Sequence, residues 1–164
     1  MRVLVASASK HGSTAEIART IGASLTFRGI ETDVRSVEAV ASLEGYDGVV
    51  LGSAIYMGHW LEAARRFIDD YATELHERPV WLFSSGPLGD PAKPTEEPAD
   101  VVALSEATQA REHRVFAGSL WKEDLGIAER AMVAAVRAPE GDFRPWPEID
   151  DWAGTIASEL TTPV

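Results

Sequence analysis

The fold is decided by residues 3–17, which read Val3-Leu4-Val5-Ala6-Ser7-Ala8-Ser9-Lys10-His11-Gly12-Ser13-Thr14-Ala15-Glu16-Ile17. An apolar run typical of a buried strand ends at small hydroxyl residues, passes through Gly12 and continues as a helical pattern from Ala15. N–H groups in the first turn of a helix lack intrahelical partners and lie at the positive end of the helix dipole. A loop of small residues can surround a phosphate there, so we interpret the stretch as a mononucleotide phosphate loop.

Outward from this unit, strand and helix patterns alternate five times. Strands are predicted at 2–6, 30–37, 48–51, 79–83 and 114–119, and helices at 14–27, 60–75, 99–111, 125–136 and 147–160. This alternation predicts an α/β fold with a doubly wound, mostly parallel sheet. Ligands of such sheets bind at the carboxyl ends of the strands. We expect the loops at 7–14, 52–58 and 84–90 to lie side by side at that edge.

The composition of the chain limits the classes of protein to which it can belong. The chain has 164 residues, of which 45% are hydrophobic, and we expect residues 1–164 to form one globular domain. No cysteine is present, which excludes disulfides, iron–sulfur clusters and cysteine nucleophiles. A net charge of −11 argues against nucleic acid and anionic membranes and favours a basic protein partner. With no signal peptide or membrane-spanning run in the sequence, a cytoplasmic location is expected.

The first loop matches neither common nucleotide motif, since it lacks the Lys-Ser/Thr of a Walker A sequence and the spacing of Gly-x-Gly-x-x-Gly. Its pattern is Ser/Thr-x-x-Gly-x-Thr, formed by Ser9, Gly12 and Thr14. This pattern resembles the phosphate loop of flavodoxins. The alternative is an ordinary capped helix after a tight turn.

The resemblance extends over most of the chain, to the menaquinone-dependent protoporphyrinogen dehydrogenase branch of the flavodoxin-like family. It is carried by Tyr46-Asp47, Val49-Val50-Leu51-Gly52, Ile55, Gly58-His59-Trp60, Phe67, Ala117-Gly118, Leu120, Gly141-Asp142, Arg144, Trp152-Ala153 and Ile156-Ala157. The resemblance implies a flavodoxin-like three-layer sandwich whose five-stranded parallel sheet has the order 2-1-3-4-5. It also implies non-covalent FMN as the cofactor.

The resemblance assigns the FMN site residue by residue. It implies phosphate contacts from Ser9, Lys10, His11, Gly12, Ser13 and Thr14. It places the isoalloxazine ring between the second and third loops, at Ala54, Ile55, Tyr56, Met57 and Gly58 and at Ser85, Gly86, Pro87, Leu88 and Gly89. Backbone groups of the third loop would reach the polar edge of the ring.

Several of these residues keep alternative interpretations. Tyr56, Met57 and Trp60 can line a flat apolar slot, but each can also belong to the core. Lys10 departs from flavodoxins proper and either pairs with the phosphate or projects into water. His11 and His59 are candidate proton donors, although histidines in loops often have structural roles.

No catalytic residue and no metal site are assigned. The adjacent pairs Asp69-Asp70, Glu96-Glu97 and Asp150-Asp151 point in different directions on a helix and are interpreted as solvated surface. The protoporphyrinogen branch is expected to carry basic membrane-docking insertions after the fourth and fifth strands. Here those regions hold Asp90, Glu96, Glu97 and Asp100, and then Glu123, Asp124 and Glu129. This difference argues against a membrane partner and a porphyrinogen substrate.

The main hypothesis is an FMN-binding redox protein that carries electrons between cytoplasmic partners. The alternative is an FMN-dependent oxidoreductase acting on a small quinone-like substrate or on protoporphyrinogen, with the long loop after the fourth strand as one wall of a substrate pocket. A third hypothesis is a flavin-free interaction module. The sequence predicts no oligomeric state.

Overall fold

A parallel sheet with helices on both faces forms the fold. The computed structural model describes residues 1–10, 12–56, 58–86, 100–117, 119–120, 141–142 and 144–162. The strands are β1 (Arg2–Ala8), β2 (Glu31–Ser36), β3 (Gly48–Tyr56), β4 (His59–Trp60), β5 (Val80–Ser85), β6 (Glu112–Phe116), β7 (Ser119–Leu120) and β8 (Gly141–Asp142). The helices are α1 (Ser13–Phe27), a 3₁₀ turn (Val37–Ala39), α2 (Glu62–Asp70), α3 (Ala72–His76), α4 (Val101–Thr108) and α5 (Trp146–Thr161).

The strand order confirms the predicted topology. The main sheet runs β2-β1-β3-β5-β6, and these five strands pair in parallel. Counted among themselves they have the predicted order 2-1-3-4-5. The sheet also contains β4, a two-residue strand antiparallel to β3, while β7 and β8 form a separate antiparallel pair. The strand count therefore differs from the prediction by these short elements.

Both faces of the sheet are buried, which explains why β1 shows no polar alternation. Val3 and Val5 pack into the core between the sheet and helices α1 and α5. Leu4 and Ala6 pack into the opposite core, under α2, α3 and α4. Since successive strand residues point to opposite faces, a strand covered on both sides must be apolar throughout.

Two predicted elements near the site were wrong in their extent. Residues 52–56 were expected in a loop but continue β3, because the ladder with β5 runs on to Ala54 opposite Ser85 and Ile55 and Tyr56 then pair with β4. The predicted helix 60–75 is two helices separated at Tyr71, and Trp60 belongs to β4. The predicted helix 125–136 lies outside the described residues.

Gly52 shows how closely the strands and their side chains approach at this end of β3. A Cβ atom at Gly52 would lie 2.1 Å from the ring of Phe83. Phe83 is fully buried against Phe116 and Trp152, so its ring cannot move away at low cost. The glycine thus allows a large aromatic ring to pack directly on the sheet backbone.

Candidate functional site

The carboxyl ends of β1, β3 and β5 meet at one edge of the sheet. Ala8 pairs with Ser53 across β1 and β3, and Ala54 pairs with Ser85 across β3 and β5. The loop before α1, the β3–β4 hairpin and the start of the segment after β5 therefore begin at neighbouring positions. Ser53 within β3 and Ser85 at the end of β5 are both buried.

The loop before α1 leads through Gly12 into the N-terminus of the helix. Gly12 is the N-cap of α1 with φ of 88°, a left-handed conformation that favours glycine. The Ser9 hydroxyl accepts a hydrogen bond from the Gly12 N–H at 3.0 Å, which closes the loop. Gly12 offers no capping side chain to the first turn. A bound anion can therefore take the place of a cap at the positive end of α1.

Lys10 connects this loop to the end of β3. Its Nζ atom lies 3.5 Å from the centroid of the Tyr56 ring, well within the range of a cation–π contact. Tyr56 is half-buried at the last position of β3. Lys10 is exposed to water, and its ammonium group also contacts the Tyr56 ring.

Arg144 is a further cation at this loop, and sequence reasoning gave it no site role. Its Nη1 atom lies 2.8 Å from Glu16 Oε2 and donates to the Ser13 carbonyl at 3.4 Å. The Arg144 side chain is only 8% exposed, and its guanidinium carbon lies 4.5 Å from the centroid of the Trp146 ring. Arg144 belongs to the motif Gly141-Asp142-x-Arg144 of the resemblance, which was the available signal.

The other described residues predicted to surround the isoalloxazine ring lie near the carboxyl ends of β3 and β5. Ala54 and Ile55 are half-buried on β3, and Gly58 lies exposed in the turn to β4. Ser85 and Gly86 are buried, and the Gly86 N–H donates to the Phe116 carbonyl at 2.8 Å. This amide is thus already used within the sheet edge. The predicted site residues outside the described residues are His11, Met57, Pro87, Leu88 and Gly89.

Trp60 belongs to the core and does not line a slot. It is 1% exposed, and its indole N–H donates to the Ser84 hydroxyl at 2.7 Å. Ser84 also shares a hydrogen bond of 2.7 Å with His113 Nε2. Sequence reasoning assigned His113 no role, because it lies at the end of a predicted element, just before the strand predicted at 114–119.

His59 faces an acidic partner. Its Nδ1 atom lies 3.9 Å from Asp100 Oδ1, and Asp100 Oδ2 accepts the Trp60 backbone N–H at 3.3 Å. Arg65 lies on the same carboxylate, with Nε 3.9 Å from Oδ2. The Trp60 N–H bond to Asp100 therefore ties the β3–β4 hairpin to the start of α4, and His59 lies beside it.

The acidic pairs are surface residues where they are described. Asp69 and Asp70 are exposed on α2, and Asp150 and Asp151 are exposed on α5, as predicted. Glu96 and Glu97 lie outside the described residues. Within the described part of the chain, no helix is long and apolar enough to cross a membrane.

Comparisons of sequence identify the relatives of this chain. A family model described as a flavodoxin domain matches residues 4–144. A curated relative, protoporphyrinogen IX dehydrogenase [quinone] of Escherichia coli strain K12, is 34% identical over 86 residues. That match covers 51% of this chain and 48% of the relative, so the chain spans about half the length of the curated relatives it matches.

Comparisons of structure give the same fold. A flavodoxin from the domain Archaea superimposes with a TM-score of 0.68 at 16% identity, covering 99% of this chain and all of the other. A flavodoxin mutant from Pseudomonas aeruginosa gives a TM-score of 0.64 at 15% identity, with 99% and 100% covered. Rubredoxin oxygen:oxidoreductase from Desulfovibrio gigas gives 0.67 at 13% identity, with 97% of this chain and 36% of that chain covered. At these identities the likeness concerns the fold alone.

Proposed function

This chain belongs to the flavodoxin family, and from that premise we propose that it binds FMN and carries electrons between protein partners. The observation that carries the proposal is the loop before α1. Gly12 is the N-cap of α1 and has a left-handed conformation. The Lys10 ammonium of the same loop contacts the half-buried ring of Tyr56. A helix N-terminus with a nearby cation suits a phosphate group, and an aromatic side chain suits a flat aromatic ring. Because the two features are neighbours, they suit a ligand that has both parts.

The residues fit FMN in their chemistry. The loop from Ser9 to Thr14 would hold the phosphate, with Lys10 supplying a positive charge close by. Tyr56 and the β3–β4 hairpin would hold one side of the isoalloxazine ring, and the segment that begins at Ser85 would hold the other. FMN supplies reversible one- and two-electron transfer when it is bound.

The charge of the chain favours a carrier. A net charge of −11 on 164 residues would attract a basic redox partner and speed their encounter. The proposal includes a cytoplasmic setting, where such soluble partners would be met.

A second candidate function is an FMN-dependent reductase of a quinone or of protoporphyrinogen. It is favoured by the 34% identity to the E. coli protoporphyrinogen IX dehydrogenase. The acidic residues in the regions after β5 and β6 argue against a membrane-docked form of this activity. A flavin-free interaction module is a third candidate, and the helix N-terminus of α1, with no side-chain cap from Gly12, argues against it.

The deciding experiment is reconstitution of the purified chain with FMN, followed by its absorbance spectrum and a stepwise reductive titration. Retained flavin that is reduced in two resolved one-electron steps supports the carrier. Reduction in one two-electron step with turnover of menadione above that of free FMN supports the reductase. A protein that retains no flavin after gel filtration contradicts both and leaves the interaction module.

A further inference from the structure

The Lys10–Tyr56 contact joins two parts of the site that are distant in sequence. Lys10 belongs to the loop before α1, and Tyr56 ends β3 on the neighbouring strand. The ammonium group lies over the face of the ring at 3.5 Å from its centroid. A movement of Lys10 can therefore change how accessible the Tyr56 ring is to a ligand.

The ammonium group covers one face of the Tyr56 ring. Aromatic rings that stack or pack edge to face have centroids about 4.5–7 Å apart. With Lys10 Nζ only 3.5 Å from the Tyr56 centroid, no ring can stack on that face until Lys10 moves. A ligand ring that stacks on this face would have to displace the lysine.

A phosphate group at the loop would give Lys10 a better partner. A phosphate monoester carries a charge of about −1.5 to −2 at pH 7. Hydrogen bonds between an ammonium and a phosphate are stronger than an exposed cation–π contact. Glu16, the acidic residue of the first turn of α1, is paired with Arg144 at 2.8 Å.

From these contacts we propose that Lys10 is a specificity-determining residue that makes ring binding at Tyr56 depend on a phosphate at the α1 loop. When a phosphorylated flavin binds, the Lys10 ammonium exchanges its contact with the Tyr56 ring for a contact with the phosphate. A flavin without phosphate offers the ammonium no such replacement. The inference rests on the proposed function, because it concerns how the same site selects FMN over riboflavin.

The first test compares the affinities of FMN and riboflavin for the wild-type chain and for Lys10→Met, both measured by quenching of flavin fluorescence. Loss of the charged phosphate contact should weaken FMN binding by about tenfold or more. Loss of the competing ammonium should strengthen riboflavin binding by about two- to fivefold. Arg66→Met removes one positive charge from the exposed face of α2 and should change neither affinity.

The second test needs no flavin. In wild-type protein, the Tyr56 ring current should shift the Lys10 ε-methylene proton resonance upfield, and Tyr56→Leu should abolish this shift. Titration with inorganic phosphate should move the resonance towards its ordinary position. If the resonance does not respond to phosphate, the inference is wrong.

The two tests separate the inference from the proposed function. If the wild-type chain binds neither flavin, the proposed function fails and the phosphate titration alone decides on Lys10. If both flavins bind and Lys10→Met weakens them equally, or changes neither, the proposed function survives and the selective role of Lys10 is overturned.

Discussion

Gly12 is the residue on which the geometry of the loop before α1 depends. Its φ of 88° is unfavourable for any residue with a Cβ atom, and a Cβ there would meet nothing within 4 Å. Glycine is therefore required at position 12 by the backbone conformation and not by side-chain packing. The Gly12 N–H bond to Ser9 Oγ and the Gly12 carbonyl bond to the Glu16 N–H, both 3.0 Å, fix the peptide on each side.

Gly12→Ala should lower the free energy of unfolding by about 1–2 kcal/mol, the cost of a left-handed non-glycine residue. It should also weaken FMN binding, because relaxation of the strain turns the loop amides. Gly29→Ala is the matched control, since Gly29 has a φ of 89° at the other end of α1 and equally open surroundings. Urea unfolding and FMN titration measure the two effects. Equal loss of FMN affinity in both variants would contradict the role of the Gly12 loop.

At the scale of elements, the edge strand β2 is tied to its neighbours through Asp33. The Tyr46 hydroxyl donates to Asp33 Oδ2 at 2.7 Å, and Arg2 of β1 pairs with the same carboxylate. The Tyr46 hydrogen bond is the main reason that the pKa of Asp33 lies below its ordinary value, and Arg2 adds to the effect while burial opposes it. Burial and the bond to Asp33 in turn raise the pKa of Tyr46.

The lowered pKa makes this tie dependent on pH. An Asp with a lower pKa in the folded state stabilises the fold fully above its unfolded pKa of about 3.9. That contribution is lost as the pH falls below 3.9 and through the lower folded value. Tyr46→Phe should therefore cost about 1 kcal/mol of unfolding free energy near pH 7 and less in strong acid.

Urea unfolding between pH 7 and pH 2 measures this difference. Tyr71→Phe is the control, because the Tyr71 hydroxyl donates to the Val40 carbonyl at 3.2 Å, an acceptor that does not titrate. The cost of Tyr71→Phe should stay constant with pH. A Tyr46→Phe cost that does not shrink in acid would show that Asp33 is not the titrating partner.

For the molecule as a whole, Arg144 joins the C-terminal segment to the loop before α1. Arg144 and Glu16 are 128 residues apart in sequence, yet their side chains pair at 2.8 Å. Helices α1 and α5 pack in one core, which brings the segment before α5 next to the N-terminus of α1. The C-terminal part of the chain therefore takes part in the electrostatics of the N-terminus of α1.

Removing this cation should affect ligand binding more than folding. In Arg144→Met, the Glu16 carboxylate loses its partner near the phosphate loop, so FMN binding should weaken by about tenfold with about 1 kcal/mol of lost stability. Glu16→Gln breaks the same pair but removes negative charge, and its FMN affinity should stay equal or rise. Isothermal titration of both variants measures the contrast. A similar loss in the two variants would indicate a structural effect of the pair and no electrostatic one.

The sequence by itself determined the order of the main strands and helices and the edge of the sheet at which the site is proposed. The apolar runs at residues 2–6, 48–51 and 79–83 identify strands buried on both faces, and each ends in small residues. Such local patterns act over a few residues, so they can be recognised without knowing the fold. The loop residues from Ser9 to Thr14 follow from the same pattern.

Only the tertiary structure decided which side chains meet at that edge. The ladder with β5 extends β3 to Ala54, and pairing with β4 extends it to Tyr56. The same hairpin places Trp60 in the core, against Ser84, which also bonds to His113. The contacts of Lys10 with Tyr56 and of Arg144 with Glu16 likewise join residues that no local pattern connects. The physical reason is that strand pairing and helix packing act between segments far apart in the chain, whereas periodicity and turn residues report only on their own neighbourhood.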